Sequence, residues 1–388
     1  MGRIGSASVD DLPLSGCRVL DLSRVLAGPL ATQILGDLGA DVVKIERPEE
    51  GDDTRRWGPP FVGDDAAYYL ALNRNKRSVA LDLRSHEGAE AIRRLAGSSD
   101  VLIENFRPGL MSGFGLALDD LRLASPRLIT CSLTAFNDEI PESASRPGYD
   151  IIVQALSGLM SVTGEPDGGP VKVGVALLDV ITGLEMAIGI LAALHERSRT
   201  GRGRHISVSL FDAGVAAMVN QAANHLLGGV IARPMGTAHP NICPYQAFHA
   251  SDRPFIVAAA NDRLFRRTCE VVGHPEWAVD PRFATNEDRV RHRDELIPLL
   301  AESLAGRTAA EWVAALEAAS VPTAPIRAID EVFSSPEGAA MVEEVADPSR
   351  EATLRLLRNP IRFDGTELDT RLPPPLLGEH TDEVLRER

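Results

Sequence analysis

The chain has 388 residues, 44% apolar and 24% charged, with a formal charge of -15. Such fractions exclude global disorder and fibrous structure, and the length suggests two to three domains, or one large domain with an excursion. The acidity argues against binding that relies on neutralising nucleic-acid phosphates, and the longest apolar run, Val173–Leu194, is broken by Asp179, Thr182 and Glu185, which speaks against a membrane span.

In chain order, Met1–Gly16 lacks a basic start followed by an apolar stretch, so it reads as a short tail and not as a secretory signal. Cys17–Leu22 reads as a strand, Gly28–Gly39 as a helix, Asp41–Glu46 and Ser78–Leu83 as strands. Glu87–Ala96 follows as a helix, then Val101–Glu104 and Arg127–Leu133 as strands. Apolar runs of this length separated by helices predict an open parallel sheet covered on both faces. The fold class is therefore α/β.

Residues from Tyr149 to Arg197 read as helix-rich, with a turn at Gly164–Pro170 and a strong helix over Asp179–Glu196 for which Asp179 would be the N-cap. A strand at His205–Val208 leads into a long helix at Leu210–Leu227, and Gly228–Pro244 reads as loop. Tyr245–His249 and Phe255–Ala260 read as paired strands, followed by helices near Asp262–Val272, Asn286–Ala305 and Ala309–Ala319. These make a smaller α+β domain. Ala324–Ala328, a helix and two short strands then lead to the tail LLGEHTDEVL.

Cys17, Cys131, Cys243 and Cys269 are widely spaced, with no CxxC and no Cys/His cluster. Reduced thiols in a cytoplasmic protein are expected, with neither a disulfide framework nor a metal site. Arg47, Arg55, Arg56, Arg74, Lys76, Arg77 and Arg107 crowd the first third of the chain. That cluster fits a small polyanionic ligand or a solvated face. Motifs for a nucleotide P-loop, a zinc helix and a hydrolase nucleophile elbow are absent.

Five segments form an ordered set: VLDLSRVLAGP from Val19, GDLGADVVKIERP from Gly36, LNRNKR from Leu72, DVLIENFRPG from Asp100 and LLGEHTDEVL from Leu376. Between them lie RPGYD from Arg146 and VGVALLDVITG from Val173. In this order the chain resembles the class III CoA-transferases, the CaiB–BaiF family of formyl-CoA transferases and 2-methylacyl-CoA racemases, over residues 14–385. The resemblance implies a Rossmann-like large domain (14–196, completed by the C-terminal return at 323–388), a linker helix at 197–229 and a small domain at 230–322. It also implies an interlocked homodimer, with acyl-CoA as substrate and no tightly bound cofactor.

The resemblance places the nucleophile at Asp179, which is also a natural helix cap; peptide dipoles at a helix start favour its ionised form. Family racemases carry a His where Tyr149 stands, and proton exchange near neutrality suits His better than Tyr. Tyr149 followed by Asp150 therefore favours transfer between two carboxylic acids. The alternative is a racemase or epimerase of the same fold, using Asp179 with another base. Tyr149 is otherwise a core aromatic, and Asp150 a helix cap.

The CoA-binding positions carried over are Val25, Ala27, Arg47, Leu72, Lys76, Arg77, Asn105 and Phe106, with Arg107 compensating for Gly113, where the formyl-CoA transferases have an Arg. Leu26 stands in place of a Gln, and GTAHPNICPY from Gly236 replaces a tetraglycine loop. These departures point away from formate and oxalate. His239 in that loop would contact the acceptor carboxylate or simply stabilise a turn.

Overall fold

The computed structural model describes residues 12–137, 139–144 and 146–387, so most of the expected N-terminal tail lies outside the described residues. The chain divides into two units. The first takes the described parts of Met1–Leu159, Lys172–Gly229 and Pro336–Arg388, and the second Met160–Val171 and Val230–Ser335. The second unit thus includes a short excursion before the helix at Leu177, and it runs beyond residue 322.

The first unit is built on six strands: β1 (Arg18–Asp21), β2 (Asp41–Glu46), β3 (Lys76–Ala80), β4 (Val101–Glu104), β5 (Ile129–Thr134) and β6 (His205–Ser209). All pair in parallel, in the order β3-β2-β1-β4-β5-β6. That is the doubly wound order of dinucleotide-binding folds, and it switches direction between β1 and β4. Period-two alternation serves both faces. Val19, Val42, Val101 and Ile103 pack with Ala31 and Leu35 of α1 (Ala27–Asp37) on one side. On the other, Leu20, Val43, Ile45 and Leu102 pack with Ala89, Ile92 and Leu95 of α2 (His86–Gly97).

β3 begins two residues before the expected Ser78, which draws Lys76 and Arg77 into the sheet opposite Val42 and Val43. The cause is compensation: Lys76 Nζ meets Asp21 Oδ2 at 3.3 Å, and Arg77 meets Asp41 at 2.6 Å. α3 spans Asp150–Leu156. The helix expected from Asp179 runs instead from Leu177 to Thr200 (α4). By length and composition it would cross a bilayer, yet Leu178, Met186, Ala187 and Ile190 are buried in the core beside the sheet. The long helix expected at Leu210–Leu227 is two, Leu210–Ala216 and Val219–Gly228. The C-terminal helix Thr381–Arg386 returns to β3, where Thr381 Oγ1 accepts from the Ala80 amide at 3.0 Å and Val384 enters the core.

In the second unit Tyr245–His249, Pro254–Ala258 and Thr323–Pro325 form an antiparallel sheet. Its core gathers Phe255, Phe265, Phe283, Leu296, Leu300 and Trp312. The helix expected over Asn286–Ala305 breaks at His292 into Asn286–Arg291 and Arg293–Leu304.

Candidate active site

The crossover from β1 to α1 carries the first site residues. Val25 has φ 74°, a left-handed conformation that is costly for a β-branched side chain. Its amide donates to both carboxylate oxygens of Asp52 at 3.3 Å, which hold the turn. Asp52 is in turn fixed by the fully buried Lys44, 2.9 Å away, and by the amide and hydroxyl of Thr54. Burial opposes the Asp52 charge, but Lys44 and Thr54 overcome it and hold the carboxyl at about 2. From the far side of the switch point, Asn105 clamps the same turn. Its Oδ1 accepts from the Arg24 amide at 2.9 Å and its Nδ2 donates to the Arg24 carbonyl at 2.8 Å.

The cleft over this clamp is lined by Arg24, Val25, Leu26, Ala27 and Asp53, by Asn105–Pro108, and by Leu133–Ala135. Arg146–Tyr149, Asp179 and Leu210 complete it. It lies at the carboxyl ends of β1, β4 and β5, where open α/β sheets bind ligands. Asp179 comes from the first turn of α4. Gly183 in ALLDVITG makes that placement possible, because a Cβ there would meet the Ala27 carbonyl oxygen at 2.7 Å. α4 therefore crosses α1 closely enough to set Asp179 beside the β1 turn.

Asp179 is not the cap of α4. Ala176 is the N-cap residue and makes no side-chain cap bond. The capping acceptor comes from Asp150 at the start of α3, whose Oδ1 accepts from the Leu178 amide at 2.9 Å and the Asp179 amide at 3.4 Å. Its other oxygen accepts from Gln154 at 2.5 Å. Asp150 thus lies buried beneath Asp179. Burial, and then the Asp150 charge, raise the Asp179 carboxyl to about 7. The expectation that peptide dipoles keep Asp179 ionised fails, because desolvation and a neighbouring anion outweigh them.

Tyr149 is 62% exposed and lines the cleft, so it is no core aromatic. The structure brings Val25, Ala27, Asn105, Phe106, Arg107, Tyr149 and Asp179 to one cleft. Leu72, Lys76, Arg77 and Arg47 do not line it. Lys76 is fully buried, donating to the Pro29 carbonyl and Asn73 as well as Asp21, and burial pulls its ammonium down to about 7. A phosphate role for Lys76 would need an open face that it lacks. Arg77 is held by Asp41, Glu383 and Glu387, while Arg47 bridges Glu50 and Asp53 at the surface. Leu72 is buried. At Gly113 a Cβ would meet nothing within 4 Å, so the missing Arg leaves open space.

His239 belongs to the second unit, where its Nδ1 accepts from the Asn241 amide at 3.1 Å and its ring packs against Tyr245. Those are turn-stabilising contacts. Two residues escaped the sequence reading. Burial, Asp179, Asp150 and Asp52 push the Tyr68 phenol to about 12, so a protonated hydroxyl stands near these carboxylates. Arg146, quoted above only within its motif, lies over the Phe136 ring at 4.8 Å. No local pattern marks Tyr68, and the RPGYD motif was the sole signal for Arg146.

A switch-point cleft with a carboxylate of raised pKa and arginines around it defines an enzyme of nucleophilic, covalent chemistry on an anionic ligand. The chain belongs to CoA-transferase family III, whose family model matches residues 14–381. It is 44% identical over 382 residues to the succinate–glutarate CoA-transferase of Agrobacterium fabrum, covering 97% of this chain and 95% of that protein. It is 42% identical over 329 residues to the acetyl-CoA:oxalate CoA-transferase of Acetobacter aceti, covering 84% of each. That likeness removes the ground for setting oxalate aside. Among solved structures, a CaiB/BaiF family protein from Brucella suis superposes with a TM-score of 0.83 at 44% identity, covering 96% of this chain and 98% of that one. The relatives are named as transferases, which favours transfer over the racemase alternative.

Proposed function

We propose that this enzyme moves coenzyme A between two carboxylic acids with Asp179 as the covalent carrier. The observation that carries the reading is the Asp179 carboxylate itself, half-buried at the switch-point cleft and raised to about 7. An Asp179 oxygen attacks the donor thioester carbonyl, the C–S bond breaks, and CoA leaves as thiolate. A mixed anhydride remains. The thiolate then attacks the aspartyl carbonyl, the donor acid departs with the C–O electrons, and Asp179 carries CoA as a thioester. The acceptor carboxylate repeats the path in reverse. It expels the thiolate to form a second anhydride, and thiolate attack on the acceptor acyl carbon frees Asp179.

Val25, Ala27, Phe106 and Arg107 would hold CoA at the cleft, with Arg47 beside it, and Tyr149 would face the acyl group. Short dicarboxylic acids are the exchanged acids, a reading supported by the names of the relatives. An interlocked homodimer, with 197–229 and 323–336 as crossing segments, is supported by apolar side chains that the first unit leaves exposed, Ile188 at 66% and Leu227 at 89%. The four free thiols support a reducing, cytoplasmic setting. The test is Asp179→Ala. Transfer should vanish while CoA binding persists, and native enzyme given succinyl-CoA should yield a hydroxylamine-sensitive adduct on the peptide containing Asp179. Retained turnover in the variant would overturn the assignment.

A further inference from the structure

We infer that Arg146 grips the far carboxylate of a dicarboxylic substrate and so selects diacids over monoacids. The inference rests on transfer at Asp179 and adds the residue that reads the other end of the acid. Arg146 lines the same cleft as Asp179 and stands three residues before Tyr149. Its guanidinium lies 4.8 Å from the centroid of Phe136. That platform is rigid, since Phe136 is 5% exposed and packs on Phe211 at 5.9 Å. A cation over an aromatic face is steadied by the ring without losing its N–H donors.

Those donors are free. Among the described residues no carboxylate pairs with Arg146, whereas Arg24 in the same cleft is held by Asp53 at 3.3 Å. Arg107, the third arginine there, follows β4 beside Phe106, on the side assigned to CoA. Arg146 is therefore the cation left for the acid. It is also set apart from the nucleophile. Burial and Asp150 raise the Asp179 carboxyl with no arginine opposing them, so the guanidinium does not neutralise the attacking group. A molecule with one carboxylate at Asp179 and a second some atoms away would satisfy both ends, the second through a forked, charge-assisted pair. A monoacid leaves the guanidinium to water. Such a pair gives a preference of about 10- to 100-fold.

The experiment compares the full-length native enzyme with Arg146→Gln and Arg146→Lys, using succinyl-CoA as donor. Glutarate and pentanoate serve as acceptors, and new acyl-CoA is read by mass spectrometry. In a double-displacement reaction kcat/KM for the acceptor belongs to the second half-reaction, so the donor cancels. The glutarate-to-pentanoate ratio of kcat/KM should exceed one in the native enzyme. It should fall about 10- to 100-fold in Arg146→Gln, and by less in Arg146→Lys. A ratio that stays put, whether both activities drop together or neither drops, overturns the role of Arg146 while leaving transfer intact. A native enzyme that moves CoA to no acid at all would instead sink the transfer reading itself.

Discussion

Replacing Asp150 with asparagine should shift the acid limb of the transfer rate to lower pH. In the native cleft the Asp179 carboxyl sits at about 7, against an ordinary 3.8, with burial the larger cause and the Asp150 charge the smaller. Attack requires the ionised form, so kcat/KM for the donor should follow that ionised fraction. At pH 6 about one-tenth is ionised and at pH 8 about nine-tenths, a rise of roughly ninefold. Asp150→Asn keeps an oxygen for the Leu178 and Asp179 amides but carries no charge. Being the smaller cause, Asp150 accounts for less than half of the rise. Its loss should therefore lower the midpoint by up to about 1.5 pH units and speed transfer at pH 6 by up to about sevenfold. Initial rates from pH 5 to 9, read as new acyl-CoA, measure both profiles. A native profile flat across pH 5 to 8 would refute the reasoning, as would a variant limb that stays at 7 or moves upward.

Three further outcomes are expected. The Asp179 carboxyl titrates higher in the folded chain than in the unfolded one, so the native protein loses stability as pH rises from about 4 to about 7. Asp179→Asn removes that loss, and its melting temperature should exceed the native value at pH 8 but match it near pH 4; equal melting at both would count against the burial of that charge. Lys44→Met strands the buried Asp52, which should cost about 3–5 kcal/mol in urea unfolding, partly recovered by adding Asp52→Asn. A loss below about 1 kcal/mol would contradict the buried pair. Gly183→Ala forces a methyl against the Ala27 carbonyl and should cost about 1–3 kcal/mol with a matching fall in transfer, because α4 must retreat from α1. Unchanged melting and activity would show that the crossing is looser than described.

Much of the frame is legible in the chain alone. Strands such as VLIE at β4 are buried at every position, so composition and length betray them without any partner. The ALLDVITG segment likewise marks Asp179 and the helix it opens, since resemblance and helix-start chemistry point to the same residue. Tertiary structure decided the rest, wherever a residue's meaning depends on a group distant in sequence. Lys76 reads as a surface cation until Asp21, 55 residues earlier, is seen to balance it inside the sheet. Asp150 reads as the cap of its own helix, yet it caps α4 from 28 residues away and raises the pKa of Asp179. Burial and charge act through space, so the protonation of the carboxylate and the partner of each arginine are settled only when the crossovers of β1, β4 and β5 meet.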